Sequence, residues 1–287
     1  MTGGAASSLR LGLVGDEIAA SQMPRLQEEA GRQLGRPVLY ERLVPRELGL
    51  GFEALLDRCG AEGFRGVNVT YPYKERAARR VRACDPAVRA LGAVNTVLFE
   101  PEGPVGHNTD HSGFTAAYRA ARADAAPGPV CVIGTGGVGR AVAFALLALG
   151  AAELRLADRD AGKARALVGE LGAAGGRASV HDDAASAAEG AAGLANCTPV
   201  GMTGHEGTAL PAAAMRGAAW AFDAAYTPAE TRFLRDAAEA GLALISGWEL
   251  FFWQGVHAAA LYHGRAPDAA ALRAAMLGQA RRAPPSA

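Results

Sequence analysis

Three short polar segments in the first 110 residues contain side chains that could move a proton. They are Asn68–Lys74 (NVTYPYK), Ala93–Thr96 (AVNT) and Gly106–Asp110 (GHNTD). All three lie at the ends of predicted strands, and the ligands of an open α/β sheet bind outside the carboxyl ends of its strands. Lys74 and Asp110 could therefore face one crevice, where an ammonium and a carboxylate would suit proton transfer to and from a hydroxyl group that is being oxidised.

Each of these side chains also has a purely structural interpretation. Asp110 precedes a predicted helix and could be its N-cap, a role that is compatible with catalysis. Asn95 could satisfy the polar groups of a buried turn, and Lys74 outside its motif would be an ordinary surface lysine. His107 and His111 are separated by a strand end and a turn, and no third ligand is near them in the sequence, so we predict no metal site.

A second motif lies near the middle of the chain. Gly134–Gly139 (GTGGVG) follows an apolar stretch at residues 130–133 and precedes a long apolar helix predicted over residues 140–149. The spacing is GxGxxG, and an acidic residue, Asp158, stands at the end of the next predicted strand. A glycine-rich chain can produce GxGxxG by chance, but the strand, the helix and the acid together predict a dinucleotide-binding site.

The three glycines have separate tasks in such a site. Gly134 permits a tight turn, Gly136 lets the backbone approach a pyrophosphate, and Gly139 lets the helix pack closely on the strand. The N–H groups at the N-terminus of the helix would bind the anion. The alternative interpretation is a glycine-rich turn that holds no ligand.

Asp158 bears on the choice of dinucleotide. A carboxylate at this position can accept hydrogen bonds from the ribose hydroxyls of adenosine and would repel a 2′-phosphate, which favours NAD over NADP. Arg159 is adjacent and could instead stack on adenine, meet a phosphate, or remain a solvated charge. The sequence therefore leaves NAD and NADP both open, with NAD favoured.

The elements that must position these motifs alternate between strand and helix. Strands are predicted at residues 11–14, 38–43 and 66–69, with helices at residues 24–34 and 52–59. This pattern predicts an α/β fold with a mostly parallel sheet in the first half of the chain. The alternation continues after residue 130, and a strongly apolar helix is predicted over residues 249–262.

Composition restricts the class of protein. The chain has 287 residues, half of them hydrophobic, which is enough for a buried core and suggests two domains. Its 29 basic and 29 acidic residues leave no basic surplus for nucleic acid or an anionic membrane surface. Four widely separated cysteines argue against a disulfide framework, and we find no secretory signal or membrane span. We therefore expect a cytoplasmic protein with no nucleic-acid or membrane partner.

Several motifs occur together, in order and spacing, as in the shikimate/quinate dehydrogenase family, which this chain resembles from Leu11 to Gly264. The matching segments are NVTYPYK, GAVNT, GHNTD, GTGGVGRA, NCTPVGM and the run D-x-x-Y-x-P-x-x-T at Asp223, Tyr226, Pro228 and Thr231. Gly247–Gln254 (GWELFFWQ) also fits, although its middle differs from the usual glycine-methionine-leucine form. So many co-linear motifs argue against a chance match.

The resemblance implies an α/β protein with an N-terminal α/β substrate domain, a Rossmann NAD(P)-binding domain and a cleft between them. Residues 1–110 would form the substrate-binding and catalytic domain, completed by C-terminal helices at residues 248–280. Residues 111–247 would form the Rossmann domain.

The resemblance also implies site residues, with Lys74 and Asp110 as the catalytic pair. The substrate-binding residues that it implies are Ser21, Thr70, Asn95, Asn108, Tyr226 and Gln254. The cofactor-binding residues are Gly134, Thr135, Gly136, Gly137, Val138, Gly139, Asp158, Arg159, Asn196, Thr198, Pro199, Met202 and Gly247.

One segment departs from the family pattern. The family usually carries S-x-S-P in its first loop, where two hydroxyls bind the substrate carboxylate, and quinate-using members have threonine at the second position. Here the segment is Ser21–Pro24 (SQMP), and Met23 has no hydroxyl. Losing one hydrogen bond to a charged group costs roughly 1.5–3 kcal/mol. Either Gln22, Arg25 or Gln27 compensates, or the substrate differs at that end.

The activity that the resemblance implies is reversible hydride transfer between NAD(P) and the ring hydroxyl of shikimate, a reaction of aromatic amino acid biosynthesis. An alternative is an NAD-dependent quinate or aminoshikimate-type dehydrogenase, which Asp158 and Met23 motivate. An alternative of another class is a non-catalytic sensor of dinucleotides or metabolites on the same fold. The expected partner is a small cyclohexane or cyclohexene carboxylic acid, and the expected assembly is a monomer or a homodimer.

Overall fold

The computed structural model describes residues 8–280 and contains two compact α/β units. The first unit is formed by the described residues up to 109 together with those from 255 onward. The second unit is formed by residues 110–254. In sequence, the second unit is therefore an insertion into the first.

The elements of the chain before residue 108 are β1 (Leu9–Val14), α1 (Met23–Gln33), β2 (Val38–Leu43), α2 (Phe52–Ala61), β3 (Gly66–Val69), α3 (Lys74–Arg80), β4 (Arg82–Ala83), α4 (Pro86–Leu91), β5 (Thr96–Glu100) and β6 (Gly103–His107). They are followed by α5 (Thr109–Arg122), β7 (Pro129–Ile133), α6 (Gly137–Ala148), β8 (Glu153–Ala157), α7 (Ala161–Ala173), β9 (Ala178–Val180), α8 (Ala184–Ala188) and β10 (Gly193–Asn196). The remaining elements are a short 3₁₀ helix (Ala212–Met215), β11 (Trp220–Asp223), α9 (Arg232–Glu239), β12 (Ala243–Ile245), α10 (Gly247–His263) and α11 (Ala269–Ala280). Within residues 8–280, none of the helices has the length and apolar content that crossing a bilayer requires.

The sheet of the first unit has six strands in the order β2-β1-β3-β5-β6-β4. β1 is parallel to both β2 and β3, whereas β5 runs antiparallel to β3 and to β6. β4 is also parallel to β6, so three of the five strand pairings are parallel and the mostly parallel sheet predicted for this half is confirmed. The turn between β5 and β6 is too short for a crossover, so β6 must return antiparallel to β5.

The ends of several strands of this sheet meet at one edge. Val14 at the end of β1 pairs with Val69 at the end of β3. Thr96 at the start of β5 pairs with Asn68 on one side and with His107, the last residue of β6, on the other. The loops that follow β1, β3 and β6 therefore leave the sheet from the same edge as the loop that precedes β5.

Apolar side chains cover both faces of this sheet. All four residues of β3 are buried. Phe52 and Leu55 of α2 pack on one face, and Ala258 and Tyr262 of α10 belong to a second cluster with Leu11 of β1. Because each fully buried Leu or Phe stabilises the fold by roughly 1.5–3 kcal/mol, burial on both faces fixes the strands in this register.

The sheet of the second unit has six parallel strands in the order β12-β11-β10-β7-β8-β9. In the sheet, β8 and β9 lie on one side of β7, and β10, β11 and β12 lie on its other side. This is the strand order of the Rossmann fold, with its topological switch point between β7 and β10. Ligands of such sheets bind outside the carboxyl ends of the strands at that point.

The start of α5 differs from the prediction. Asp110 is not the N-cap, because the helix already begins at Thr109. The N–H of Thr109 donates to the Asn95 side-chain oxygen at 2.7 Å. A residue distant in sequence thus satisfies the first N–H of the helix, and Asp110 lies within its first turn.

Candidate active site

Two loops at the edge of the first sheet are interlocked. A Cβ on Gly15, which follows β1, would lie 2.3 Å from Cγ2 of Thr70, so only glycine allows this approach. Asp16 accepts a hydrogen bond from the Tyr73 hydroxyl at 2.6 Å. The loop that carries Ser21 and the loop that carries Thr70 are therefore held together, as a shared substrate site would require.

Ser21 and Met23 stand at the start of α1. The Ser21 hydroxyl accepts a hydrogen bond from the N–H of Met23 at 3.2 Å, which orients the serine side chain. The Met23 side chain is only 4% exposed and its sulfur accepts a weak hydrogen bond from Gln27 Nε2 at 3.5 Å. Met23 is therefore a core residue.

Two of the three residues named as replacements for the missing hydroxyl are engaged elsewhere. Arg25 Nη2 donates to two backbone carbonyls of α11, at 3.0 and 2.7 Å. Gln27 is fully buried and its Nε2 donates to the Gly255 carbonyl at 2.9 Å. Gln22 remains exposed.

Asn95 is the centre of a buried hydrogen-bond network. Its Oδ1 accepts from the N–H of Thr109 at 2.7 Å, from the Thr109 hydroxyl at 3.1 Å and from the Thr96 hydroxyl at 3.1 Å. The Asn95 residue is 2% exposed. These three bonds fix the orientation of the amide, with its oxygen engaged by the protein. A further hydrogen bond from this side chain would therefore be donated by Nδ2.

The network continues across the sheet to its edge strand. Asn68 Nδ2 donates to the Thr96 hydroxyl at 3.2 Å, and the Tyr40 hydroxyl donates to Asn68 Oδ1 at 2.9 Å. We call Tyr40, Asn68, Asn95, Thr96 and Thr109 the Asn95 network. Sequence reasoning missed Tyr40, because only the register of the sheet, in which Tyr40 pairs with Leu11 and Asn68 pairs with Leu13 of β1, shows that the two side chains share a face.

The predicted catalytic residues lie directly beside this network in the chain. The carbonyl of Lys74, the first residue of α3, accepts the N–H of Val94 at 2.9 Å, and Val94 precedes Asn95. Asp110 follows Thr109 and is 1% exposed. Its carboxylate lies in the first turn of α5, where the positive end of the helix dipole stabilises a negative charge.

Asn108 has a structural partner. Its Nδ2 donates to the carbonyl of Ala93 at 2.9 Å, and the residue is 5% exposed. This bond ties the segment after β6 to the turn before β5, so Asn108 positions the two segments that carry Asn95 and Asp110.

The glycine motif of the second unit has the geometry that its spacing predicts. Gly134 has φ +90° and follows β7 directly. A Cβ on Gly139 would lie 2.0 Å from the Gly134 carbonyl oxygen, so α6 packs against the turn at a distance that only glycine permits. A Cβ on Gly136 would meet no atom within 4 Å, which leaves open space above the loop.

The first turn of α6 fits an anion. This helix begins at Gly137 and has neither a side-chain cap nor an acidic residue in its first turn. Its first N–H groups are therefore not bonded by a capping side chain, and the helix dipole favours negative charge there. A dinucleotide pyrophosphate fits this donor set, with residues 134–139 as its cradle.

Asp158 is bound into the same loop. Its Oδ2 accepts from the N–H and the hydroxyl of Thr135, at 2.6 and 2.8 Å, and its Oδ1 accepts from the N–H of Asp160 at 2.8 Å. Partial burial opposes ionisation, but these hydrogen bonds outweigh it and lower the pKa of Asp158. The carboxylate is thus negative at neutral pH. Arg159 beside it is exposed.

A second buried network holds the loops after β10 and β11. Asn196 Oδ1 accepts from the N–H and hydroxyl of Thr198, at 3.0 and 2.7 Å, and Asn196 Nδ2 donates to Asp223 Oδ1 at 3.0 Å. Thr231 donates to Asp223 Oδ2 at 2.5 Å. Burial raises the pKa of Asp223 to about 6, and these hydrogen bonds limit the rise. We call these four residues the Asp223 network; the signal for it was the D-x-x-Y-x-P-x-x-T run.

The other predicted residues of the second unit occupy loops and the start of α10. Pro199 accepts the N–H of Met202 at 3.0 Å, which closes a turn. Tyr226 stacks on Phe251 with ring centroids 5.3 Å apart. A Cβ on Gly247 would lie 2.5 Å from the carbonyl oxygen of the residue after Asp223, so α10 begins close to that loop.

Gln254 lies near the end of the second unit. A Cβ on Gly113 of α5 would lie 2.7 Å from the Gln254 backbone nitrogen, so the two helices are in backbone contact there. Within the part of the chain that the structure describes, no three His, Cys, Asp or Glu residues are grouped as metal ligands.

These features define a class of protein. A parallel sheet in Rossmann order, a glycine turn against an uncapped helix and a carboxylate at the end of the next strand form a dinucleotide-binding unit. A separate α/β unit carries polar side chains at one sheet edge. Together they define a two-unit protein that binds a dinucleotide in one unit and carries a polar candidate site in the other.

Comparison with known proteins gives the family. The model of the shikimate dehydrogenase substrate binding domain matches residues 13–97. A quinate/shikimate dehydrogenase (NAD(+)) of Corynebacterium efficiens is 37% identical over 281 residues, which cover 94% of this chain and 98% of the relative. A shikimate dehydrogenase (NADP(+)) of Streptomyces avermitilis is 39% identical over 269 residues, covering 91% and 92%.

A solved structure agrees with these relatives. The quinate dehydrogenase from Corynebacterium glutamicum in complex with NAD superposes with a TM-score of 0.87 at 35% identity, covering 95% of this chain and 99% of that one. The chain belongs to the shikimate/quinate dehydrogenase family, whose members are NAD(P)-dependent oxidoreductases. The predicted family and fold class are confirmed.

Proposed function

We propose that this protein is an NAD-dependent dehydrogenase that oxidises a ring hydroxyl of quinate or shikimate to the ketone, and that it also catalyses the reverse reduction. The observation that carries the choice of NAD is the ionised carboxylate of Asp158 at the end of β8. A 2′-phosphate placed against this carboxylate would meet a like charge, whereas ribose hydroxyls could donate to it. Relatives that use NAD and relatives that use NADP both exist, so this residue is the decisive local feature.

The first unit would bind the acid and the second unit would bind the dinucleotide. The match of residues 13–97 to a substrate binding domain supports the first assignment. The Rossmann strand order and the glycine cradle support the second. Residues 134–139 would hold the pyrophosphate, and the loop at residues 196–202 would lie near the nicotinamide.

Lys74 and Asp110 would move the hydroxyl proton. In the oxidation, the carbon that bears the hydroxyl loses a hydride while the oxygen loses its proton to this pair; in the reduction both return. The bound dinucleotide accepts or supplies the hydride. Two hydrogen bonds support this assignment: the N–H of Val94 donates to the Lys74 carbonyl, and the N–H of Thr109 donates to Asn95 Oδ1. They tie Lys74 and the residue before Asp110 to the same segment of the chain.

Hydrogen-bonding side chains would orient the substrate. Asn95 would donate through Nδ2, since its oxygen is engaged by Thr96 and Thr109. Ser21 and Thr70 stand on interlocked loops at the same sheet edge. We also propose substrate-binding roles for Asn108, Tyr226 and Gln254.

The experiment that tests this function is an initial-rate assay with four combinations, shikimate or quinate with NAD or NADP, followed by the absorbance of the reduced nicotinamide. We expect NAD to give the higher kcat/KM with both acids. Dominant activity with NADP would contradict the assignment made from Asp158. Dinucleotide binding without turnover of either acid would indicate the metabolite-sensor alternative.

A second candidate substrate is an amino-substituted shikimate, because Met23 removes a hydroxyl from the loop that would bind the carboxylate end. Adding this compound to the same assay tests it directly. We further propose that the protein acts in the cytoplasm as a monomer or a homodimer. Its four cysteines are free thiols, in keeping with a reducing compartment, and sedimentation of the purified chain would distinguish the two assemblies.

A further inference from the structure

The segment Ser21–Pro24 offers a substrate carboxylate one hydroxyl instead of two. The side chain of Met23 is buried and provides no O–H or N–H donor. Arg25 and Gln27 donate to carbonyls of α11 and α10. Gln22 is exposed but uncharged, so a cationic donor for an anion at Ser21, other than the Arg25 that is bonded to α11, has to come from another element.

Arg42 is the cationic residue bonded to this loop. It stands near the carboxyl end of β2, and its Nε donates to the carbonyl of Ile18 at 3.2 Å while its Nη2 donates to the carbonyl of Ser21 at 3.0 Å. The two carbonyls that accept these bonds lie before and after residues 19 and 20, so the guanidinium spans this part of the loop. They hold the guanidinium beside Ser21 although the side chain remains exposed.

The charge of Arg42 is not neutralised within the described residues. Other arginines of the first unit form ion pairs: Arg10 with Glu41, Arg76 with Glu53, and others. Arg42 has no carboxylate within salt-bridge distance among residues 8–280. Two of its five N–H groups are bonded to the loop, which leaves three donors and the full positive charge.

We propose that Arg42 supplies the second contact to the substrate carboxylate, in place of the hydroxyl that Met23 lacks. The inference rests on the proposed function, because it requires an anionic ring acid as substrate. A guanidinium is a planar donor that suits a carboxylate, and charge-assisted hydrogen bonds are roughly twice as strong as neutral ones. Arg42 thereby selects carboxylates over neutral polyols of the same ring size.

The test compares a charged and a neutral substrate in the variant Arg42→Gln. We expect the KM for shikimate or quinate to rise about 10-fold or more, the loss of one charge-assisted hydrogen bond, with kcat changed far less. The KM for the methyl ester of the same acid should change little, because the ester carries no charge. The KM of the wild type for the acid should also rise with salt, and that salt dependence should weaken in Arg42→Gln.

Arg46→Gln is the matched control, because Arg46 is an exposed arginine in the loop that follows β2. It should leave the KM for the acid and for the ester unchanged. An equal rise of both KM values in Arg42→Gln would show that Arg42 only supports the loop, and an unchanged KM for the acid would exclude any role; either result overturns the proposal.

Calorimetry separates this proposal from the proposed function. If the wild type binds shikimate and Arg42→Gln binds it at least 10-fold more weakly, Arg42 contacts the carboxylate even in a protein without turnover. If the two proteins bind shikimate equally, or neither binds it, the proposal is wrong. Turnover by the wild type with an unchanged Arg42→Gln variant would leave the proposed function intact and remove Arg42 from it.

Discussion

The two units hold the loops of their candidate sites with hydrogen-bond networks that differ in charge. The Asn95 network of the first unit consists of a phenol, two amides and two hydroxyls, all neutral. The Asp223 network of the second unit is built around a buried carboxyl group whose pKa burial raises to about 6. A neutral network orients its loop with no dependence on pH, whereas a buried carboxylate gains stronger hydrogen bonds at the cost of desolvating a charge.

The difference matches the role that we propose for each set of loops. The Asn95 network spans strands β2, β3 and β5 and ends next to the residues proposed to move a proton, where a further ionisable group would compete for that proton. The Asp223 network joins two loops at the ends of neighbouring parallel strands, and one charged acceptor there takes hydrogen bonds from Asn196, Ala225 and Thr231. The second unit thus holds its loops through a charged acceptor, whereas the first unit holds its loops through neutral groups.

The largest expected effect tests the proton transfer that is proposed beside the Asn95 network. Lys74→Ala should lower kcat by ~100-fold or more, because the variant removes an acid–base group. The chain has one other lysine, Lys163, which is exposed, so Lys163→Ala is the natural control and should keep full activity. Near-normal turnover of Lys74→Ala would remove this residue from the mechanism.

The next effect separates folding from ligand binding within the second unit. Gly139→Ala should destabilise the protein by roughly 2–3 kcal/mol, since its Cβ would meet a backbone carbonyl that cannot move aside. Gly136→Ala should leave the melting temperature nearly unchanged but weaken dinucleotide binding, because its Cβ would enter the open space above the loop. Thermal unfolding and a dinucleotide titration of both variants measure this; equal stability of the two would contradict the packing described for α6.

The Asp223 network should make the stability of the protein depend on pH. Between the ordinary carboxyl pKa and about 6, the folded state holds the Asp223 proton more tightly than the unfolded chain does. The resulting stability is complete at low pH and is lost as the pH rises through this window. From about pH 5 to pH 7.5, the wild type should lose roughly 1–1.5 kcal/mol relative to Asp223→Asn.

Urea unfolding of both proteins at several pH values measures this difference. Parallel curves for the wild type and Asp223→Asn would show that the carboxyl group titrates normally. The neutral Asn95 network provides the reference, because a variant in it, such as Thr96→Val, should shift stability by the same amount at every pH.

The smallest expected effect concerns two tyrosines of the first unit, Tyr40, which is partly buried, and Tyr262, which is buried. Tyr40→Phe should cost about 1 kcal/mol, because it removes the hydrogen bond to Asn68 and leaves that oxygen without its donor. The Tyr262 hydroxyl is buried with no hydrogen-bond partner among the described residues, so Tyr262→Phe should be neutral or slightly stabilising. Unfolding free energies of the two variants check the contrast, and equal losses would contradict the described network.

Local sequence signals predicted the parts of the molecule that depend on local geometry. The glycine turn at Gly134 and the close approach at Gly139 follow from residue type and spacing alone. The strand at residues 38–43 and the end of β8 before Asp158 were also correct. These features need little more than backbone sterics and a short apolar run.

Tertiary contacts decided the rest. Arg25 donates to carbonyls about 250 positions along the chain, and Gln27 to one 228 positions along, which no local pattern reveals. The start of α5 was misplaced because its cap is the side chain of Asn95. Arg42 was missed because a charged residue in a strand is ordinarily a solvated group, and only the folded loop shows its two carbonyl partners.

The insertion of one unit into the sequence of the other has a consequence during synthesis. The core of the first sheet includes Ala258 and Tyr262, which the ribosome adds well over a hundred residues after β6. The second unit is continuous, and its two ends meet where Gly113 contacts Gln254, so it can fold as soon as it emerges. Until α10 has been made, the face of the first sheet that Ala258 and Tyr262 cover stays exposed. A translating ribosome would therefore expose Leu11 and Leu98 to chaperones for the whole time that the second unit is being made.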